Sequence, residues 1–213
     1  MSFIRITLLL FGLTIIGLSP FSARDTHAST QKKILVMGDS LSAAYRLPVE
    51  KGWVAILQAK LAEQQFPVSI VNASVSGATT AAGLKILPPA LVQHKPDIVI
   101  LALGANDGLQ GKPISYITAN LDKLIKLSIA ESAEVLLLGI RIPPNYGLAY
   151  TEPFFAQYQH LSEKYDTALV PFFLDGVAGD VTLMMDDGKH PNAAGQRLVF
   201  ENVWPSIQAL LEN

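Results

Sequence analysis

The chain has 213 residues, half of them hydrophobic, with 16 basic and 18 acidic side chains, a formal net charge of -2 and no cysteine. A chain of this length can bury one core without metal or disulfide staples, and the missing thiols exclude cysteine nucleophiles, disulfides and cysteine-held zinc or iron-sulfur sites. The near-neutral balance, with no Lys/Arg run, leaves no electrostatic footprint for nucleic acid.

The amino terminus carries Arg5, an apolar stretch from Ile6 to Leu18, then Pro20 and a polar segment with Arg24, Asp25, Thr26 and His27. This is the pattern of an export signal, with Thr26 and Ala28 as the small residues before cleavage. The apolar stretch falls short of the ~20 residues that span a bilayer, which favours a cleaved leader over a permanent anchor. Residues 1–28 are thus expected to be a signal peptide and 31–213 one domain, periplasmic or secreted and without a stable membrane anchor, its oligomeric state open with a monomer favoured. Asn72-Ala73-Ser74 matches a glycosylation sequon, a motif too short to carry weight alone.

From Lys33 onward, short aliphatic runs alternate with longer amphipathic segments. The runs are Ile34 to Met37, Val68 to Val71, Ile98 to Leu103, Val135 to Leu138 and a weaker one at Leu169 to Phe172. They are continuous rather than alternating in polarity, as strands covered on both faces should be. Helices are expected at Trp53 to Gln65, Thr80 to His94, Ser115 to Glu131, Thr151 to Tyr165 and Asn192 to Leu211. This order predicts an α/β fold: one three-layer α/β/α sandwich around a mostly five-stranded parallel sheet with right-handed crossovers. The Gly139 to Ala149 segment follows a strand and is placed to wall a groove.

Four segments fall at the same edge of such a sheet. Gly38-Asp39-Ser40-Leu41-Ser42 follows the first strand, where a helix starting beside Ser40 would aim N–H groups at an anion. Asn72 to Gly77 follows the second strand, Gly104-Ala105-Asn106-Asp107-Gly108 the third, and Asp186-Asp187-Gly188-Lys189-His190-Pro191 precedes the last helix. A serine esterase needs a base near the hydroxyl, a carboxylate to hold that base, and donors for an oxyanion. Ser40, His190, Asp187, Gly77 and Asn106 can supply these. Each also has a plain reading: Asp39 and Asp187 as turn formers, Gly77 as a turn glycine, Asn106 in an Asx-turn, His190 as a surface residue with Pro191 opening the next helix. Asp186 is an alternative to Asp187, which is preferred because one tight turn through Gly188 can bring it to His190. Leu109, Ile142 and Tyr146 are candidates for an apolar acyl groove.

These four ordered blocks resemble the signature blocks of the SGNH, or GDSL, hydrolase family over nearly the whole mature chain. Arg141 to Gly147 and Val170-Pro171-Phe172-Phe173 are further similar to its bacterial periplasmic arylesterase, thioesterase and lysophospholipase branch. The resemblance implies a flavodoxin-like sandwich, Ser40 as nucleophile with Asp187 and His190, and an oxyanion hole of Ser40 N–H, Gly77 N–H and the Asn106 amide. Ser42 replaces the second glycine of Gly-x-Ser-x-Gly, so the α/β-hydrolase elbow is absent. Two positions depart from the branch: Ala78, where an acidic residue is frequent, and Lys189, where an aliphatic one is common. Both bear on local charge, so Ala78→Glu is expected to alter substrate preference.

The implied reaction is hydrolysis of carboxylic esters or thioesters (aryl esters, lysophospholipids, acyl thioesters) through an acyl-enzyme, with no metal or cofactor. Histidines stand at 27, 94, 160 and 190, with no zinc-type pairing, and neither a Gly-x-Gly-x-x-Gly nor a P-loop occurs. A histidine base ordinarily titrates near pH ~6.5, which predicts activity falling as pH drops through that region. A carbohydrate O-acetylesterase with the same triad, and a catalytically silent exported binding domain, are the competing readings.

Overall fold

The computed structural model describes residues 31–212, so the expected leader lies outside the described residues. Five parallel strands form the central sheet: β1 (Lys32–Gly38), β2 (Val68–Asn72), β3 (Ile98–Ala102), β4 (Glu134–Leu138) and β5 (Ala168–Val170). Their order is β2-β1-β3-β4-β5. Ile34 to Met37 of β1 and Ile98 to Ala102 of β3 are all buried, which explains why their sequence is continuously apolar. Among the described residues six α-helices accompany the sheet: α1 (Trp53–Glu63), α2 (Thr80–His94), α3 (Ala105–Leu109), α4 (Ile114–Ala130), α5 (Leu148–Tyr165) and α6 (Ala193–Glu212). Helices α1 and α6 pack together, as do α2, α4 and α5, giving the expected α/β/α sandwich. Among the described residues no helix is long and apolar enough to cross a membrane.

The differences from the sequence reading have local causes. β5 stops at Val170 because Pro171 has no N–H to extend the ladder; Phe173 N–H donates to Gly139 O beyond it. α5 starts three residues early, directly after Gly147 at φ +83°, and tolerates Pro153 in its interior. No helix starts at Ser40. Residues 40–46 form successive turns, with Ala44 and Arg46 in the left-handed region at φ +53° and +54°, and α1 begins only at Trp53. Nor does Pro191 open α6. Asn192 caps that helix, its Oδ1 accepting from Ala194 N–H at 2.9 Å and Gly195 N–H at 3.1 Å, while Pro191 bridges to Met184.

The strand order reverses between β1 and β3. In open parallel sheets that reversal leaves a crevice beyond the carboxyl ends of the two strands, with one crossover leaving to each side. Ser40 follows β1 and Asn106 follows β3, so two of the sequence-identified blocks flank this crevice.

Candidate active site

Asp187, His190 and Ser40 form a continuous relay. Asp187 Oδ2 lies 2.8 Å from His190 Nδ1, and His190 Nε2 lies 2.9 Å from Ser40 Oγ, joining residues 150 positions apart in sequence. An ionised carboxylate only accepts, so His190 Nδ1 must donate to it; in the neutral ring Nε2 is then an acceptor for the Ser40 hydroxyl. Gly188 at φ +63° turns the chain sharply enough for Asp187 Oδ1 to accept also from the backbone N–H of Lys189 (2.9 Å) and of His190 (3.1 Å). The Lys189 N–H first, then the His190 side chain, hold the Asp187 carboxyl down at about 2. It remains charged across the neutral range. Asp186 is exposed and makes none of these contacts.

Tyr45 was not apparent from sequence. Its ring packs on the His190 imidazole, centroids 4.4 Å apart and planes tilted by 36°. The Arg46 guanidinium lies 5.2 Å from the centroid of the Tyr45 ring. The left-handed residues on either side of Tyr45 bend the turn so that this ring faces the histidine loop. Buried Ala44 fits because Gly52 has no side chain: a Cβ there would sit 2.8 Å from that of Ala44. Sequence periodicity contains no signal for this contact, because the segment is neither helix nor strand.

The loops after β2 and β3 are fastened to the Ser40 turn. The Asn106 Nδ2 group donates to Asp39 Oδ2 and to the Ala78 carbonyl, each at 3.0 Å. Asp39 is 1% exposed, and its Oδ1 accepts from Leu41 N–H at 3.0 Å. Burial pushes its carboxyl up to about 7, against the opposing effect of these donors. Gly77 precedes Ala78 with φ +79°, and nothing occupies the space a Cβ would take there. Ala78 itself is 4% exposed and buries its methyl in the core. A glutamate at this position would have to displace core contacts.

Behind Asn106, Asp107 is fully buried. Its Oδ2 accepts from Thr80 N–H and its Oδ1 from the Thr80 hydroxyl, both at 2.7 Å, and Asn120 Nδ2 donates to the same hydroxyl at 3.0 Å. This network joins the start of α2, and so the Gly77 loop, to α3 and to α4. The β3 turn needs Gly104, at φ +116°, because a Cβ there would collide with the Tyr158 hydroxyl, which donates to Leu103 O at 3.0 Å.

Leu109 and Tyr146 come together: the Tyr146 hydroxyl donates to Leu109 O at 2.8 Å, and Tyr146 is 38% exposed. Ile142 is 6% exposed and packs toward Gly108, where a Cβ would lie 2.8 Å from its Cγ2. It backs the loop rather than facing solvent. Lys189 is exposed and contributes its backbone N–H to Asp187. Among the described residues no cluster of three or more His, Asp or Glu is arranged to hold a metal ion.

The GDSL-like lipase/acylhydrolase family matches residues 36–198. Esterase TesA of Pseudomonas aeruginosa is 46% identical over 186 residues, covering 87% of this chain and 92% of the relative. Thioesterase 1/protease 1/lysophospholipase L1 of Escherichia coli is 39% identical over 187 residues, covering 88% of each. The crystal structure of the psychrotrophic esterase EstA from Pseudoalteromonas sp., inhibited by monoethylphosphonate, superposes with a TM-score of 0.82 at 41% identity, covering 85% of this chain and all of that one.

Proposed function

The chain belongs to the GDSL-like lipase/acylhydrolase family and is a serine ester hydrolase; from that premise we propose that Ser40 is the nucleophile, His190 its base and Asp187 the carboxylate that orients the base. The observation that carries this reading is the relay of 2.8 and 2.9 Å from Asp187 through His190 to Ser40. Ser40 Oγ attacks the acyl carbonyl while its proton passes to His190 Nε2. The carbonyl oxygen becomes an oxyanion received by Ser40 N–H, Gly77 N–H and the Asn106 amide. Collapse breaks the ester bond, and the leaving group departs with the proton from Nε2. Water then gives a proton to Nε2, attacks the acyl carbon and releases the acid with the Ser40 hydroxyl restored. Asp187 stays ionised throughout and fixes the ring tautomer.

The substrate is a small-molecule ester. Within that class we assign acyl esters with an aliphatic chain, including lysophospholipids and acyl thioesters, a reading supported by Leu109, in the same helix as Asn106, lying against the turn that bears half-exposed Tyr146 through the Tyr146 hydroxyl bond to its carbonyl. The names of the two relatives, an esterase and a thioesterase/lysophospholipase, support the same class. Residues 1–28 are assigned as the export leader on their apolar stretch and small residues at 26 and 28.

Hydrolysis of p-nitrophenyl esters from acetyl to palmitoyl, by the purified mature chain, tests this. Ser40→Ala is expected to lower kcat by about 10⁵-fold or more with an unchanged melting temperature. An optimum at medium or long chains supports the acyl groove. An optimum confined to acetate would favour a deacetylase pocket, and turnover that survives Ser40→Ala would overturn the nucleophile.

A further inference from the structure

Each proposed oxyanion donor has a neighbour in one small cluster. Asp39 precedes Ser40, Ala78 follows Gly77, and Asn106 connects the two through its Nδ2 group. An amide nitrogen carries two hydrogens, and here both have acceptors: one the Asp39 carboxylate, the other the Ala78 carbonyl. In the resting site, therefore, Asn106 has no uncommitted hydrogen for a substrate oxygen. The two acceptors are not equivalent. Both residues are buried, but Asp39 is further locked by Leu41 N–H, whereas Ala78 directly follows the exposed Gly77. In its ionised form, which burial confines to pH above about 7, the Asp39 carboxylate holds an N–H more strongly than a neutral carbonyl does.

We propose that Asp39 is a positioning residue of the oxyanion hole: its carboxylate retains one Asn106 hydrogen throughout, so that the other is released by the Ala78 carbonyl and donated to the oxyanion as it forms. The exchange makes no covalent bond and moves no proton. One hydrogen bond to a neutral carbonyl is replaced by one to a developing charge, so the gain appears in the transition state and not in the bound substrate. Asp39 touches neither substrate nor the reacting atoms and acts through Asn106 alone. The inference rests on the reading of Asn106 as an oxyanion donor.

The test is a double-mutant cycle on p-nitrophenyl butyrate hydrolysis with wild type, Asp39→Asn, Asn106→Ala and the double variant, each with a thermal melt. Asp39→Asn keeps the size but brings an NH₂ group against either the Leu41 N–H or the Asn106 NH₂. Asp39→Ser is the second probe: its hydroxyl still accepts from Leu41 N–H as an ordinary turn residue while releasing Asn106. Either substitution should lower kcat about 10- to 100-fold with KM changed less than about threefold, and should change kcat less than about threefold once Asn106 is alanine. An equal loss in both backgrounds would overturn the proposal, as would a kcat near that of wild type. Absence of a cooperative melt for both Asp39 variants would make Asp39 a folding residue and overturn it too. If Asn106→Ala alone leaves kcat intact, the oxyanion reading itself fails; if Asn106→Ala is slow while the Asp39 variants are fast, only the role of Asp39 fails.

Discussion

At the residue scale, the site depends on how few atoms hold each reacting group. His190 is oriented by Asp187 at one nitrogen and packed on one face by Tyr45, with no third polar contact to its ring among the described residues. An aromatic contact of this kind contributes about 0.5–1.5 kcal/mol beyond its buried area, which sets the scale of losing it. Tyr45→Ala is therefore expected to lower kcat by up to about tenfold with KM little changed, while Tyr45→Phe keeps the ring and should retain nearly full rate. Steady-state kinetics of the two variants check this; equal losses would assign the effect to the hydroxyl instead. The relay was legible from residue types and spacing, because Gly188 lets Asp187 reach back to His190 within one turn. Tyr45 and Asp39 were not singled out for these roles. Both lie within five residues of Ser40, but their partners come from the distant His190 and β3 loops.

At the element scale, the buried Asp107–Thr80–Asn120 network connects three helices: the start of α2, α3 and α4. All three residues are at most 7% exposed, so deleting one partner strands polar atoms that water cannot reach. Asp107→Ala leaves both the Thr80 N–H and its hydroxyl without their acceptor and is expected to destabilise by about 2–4 kcal/mol. Thr80→Val removes the hydroxyl but keeps the N–H bond and should cost about half as much. Urea melts give both values. Activity per folded molecule should fall further for Asp107→Ala, because the Gly77 and Asn106 loops are joined through this residue. A melt unchanged from wild type would mean that the pairing of these elements is held by apolar packing alone.

At the scale of the whole molecule, two carboxylates with opposite shifts shape stability against pH. Asp39 is raised by burial from 3.8 to about 7, so between those values the folded chain binds a proton that the unfolded chain lacks. Its contribution is full below about pH 4 and is lost as pH rises through 7. Asp187 is lowered from 3.8 to about 2, first by the Lys189 N–H and then by His190, so its contribution is present above about pH 4 and is lost as pH falls through 2. Asp122 on α4, held low by Lys164, Tyr165 and Lys126, adds to the acid limb in the same direction. Taken by themselves, these three groups favour the folded chain most near pH 4–5. Melting temperatures from pH 2 to 8 should show Asp39→Asn flattening the limb above pH 4 and Asp187→Asn flattening the limb below it. Parallel profiles for all three proteins would contradict both assignments.

The sequence by itself determined the layers, the parallel sheet and the four loops that meet at its carboxyl edge, because strands buried on both faces must be continuously apolar and catalytic side chains sit in turns between such runs. It also carried the Asp187–His190 pairing, a contact of three residues. The tertiary structure decided everything that depends on loops meeting across the sheet. It put turns with left-handed Ala44 and Arg46 after Ser40, buried Ala78, gave α6 Asn192 as its cap, and brought Asp39, Ala78 and Asn106 onto shared hydrogen bonds. Those outcomes depend on strand order and on which polar atoms lose water, and neither leaves a period in a linear sequence.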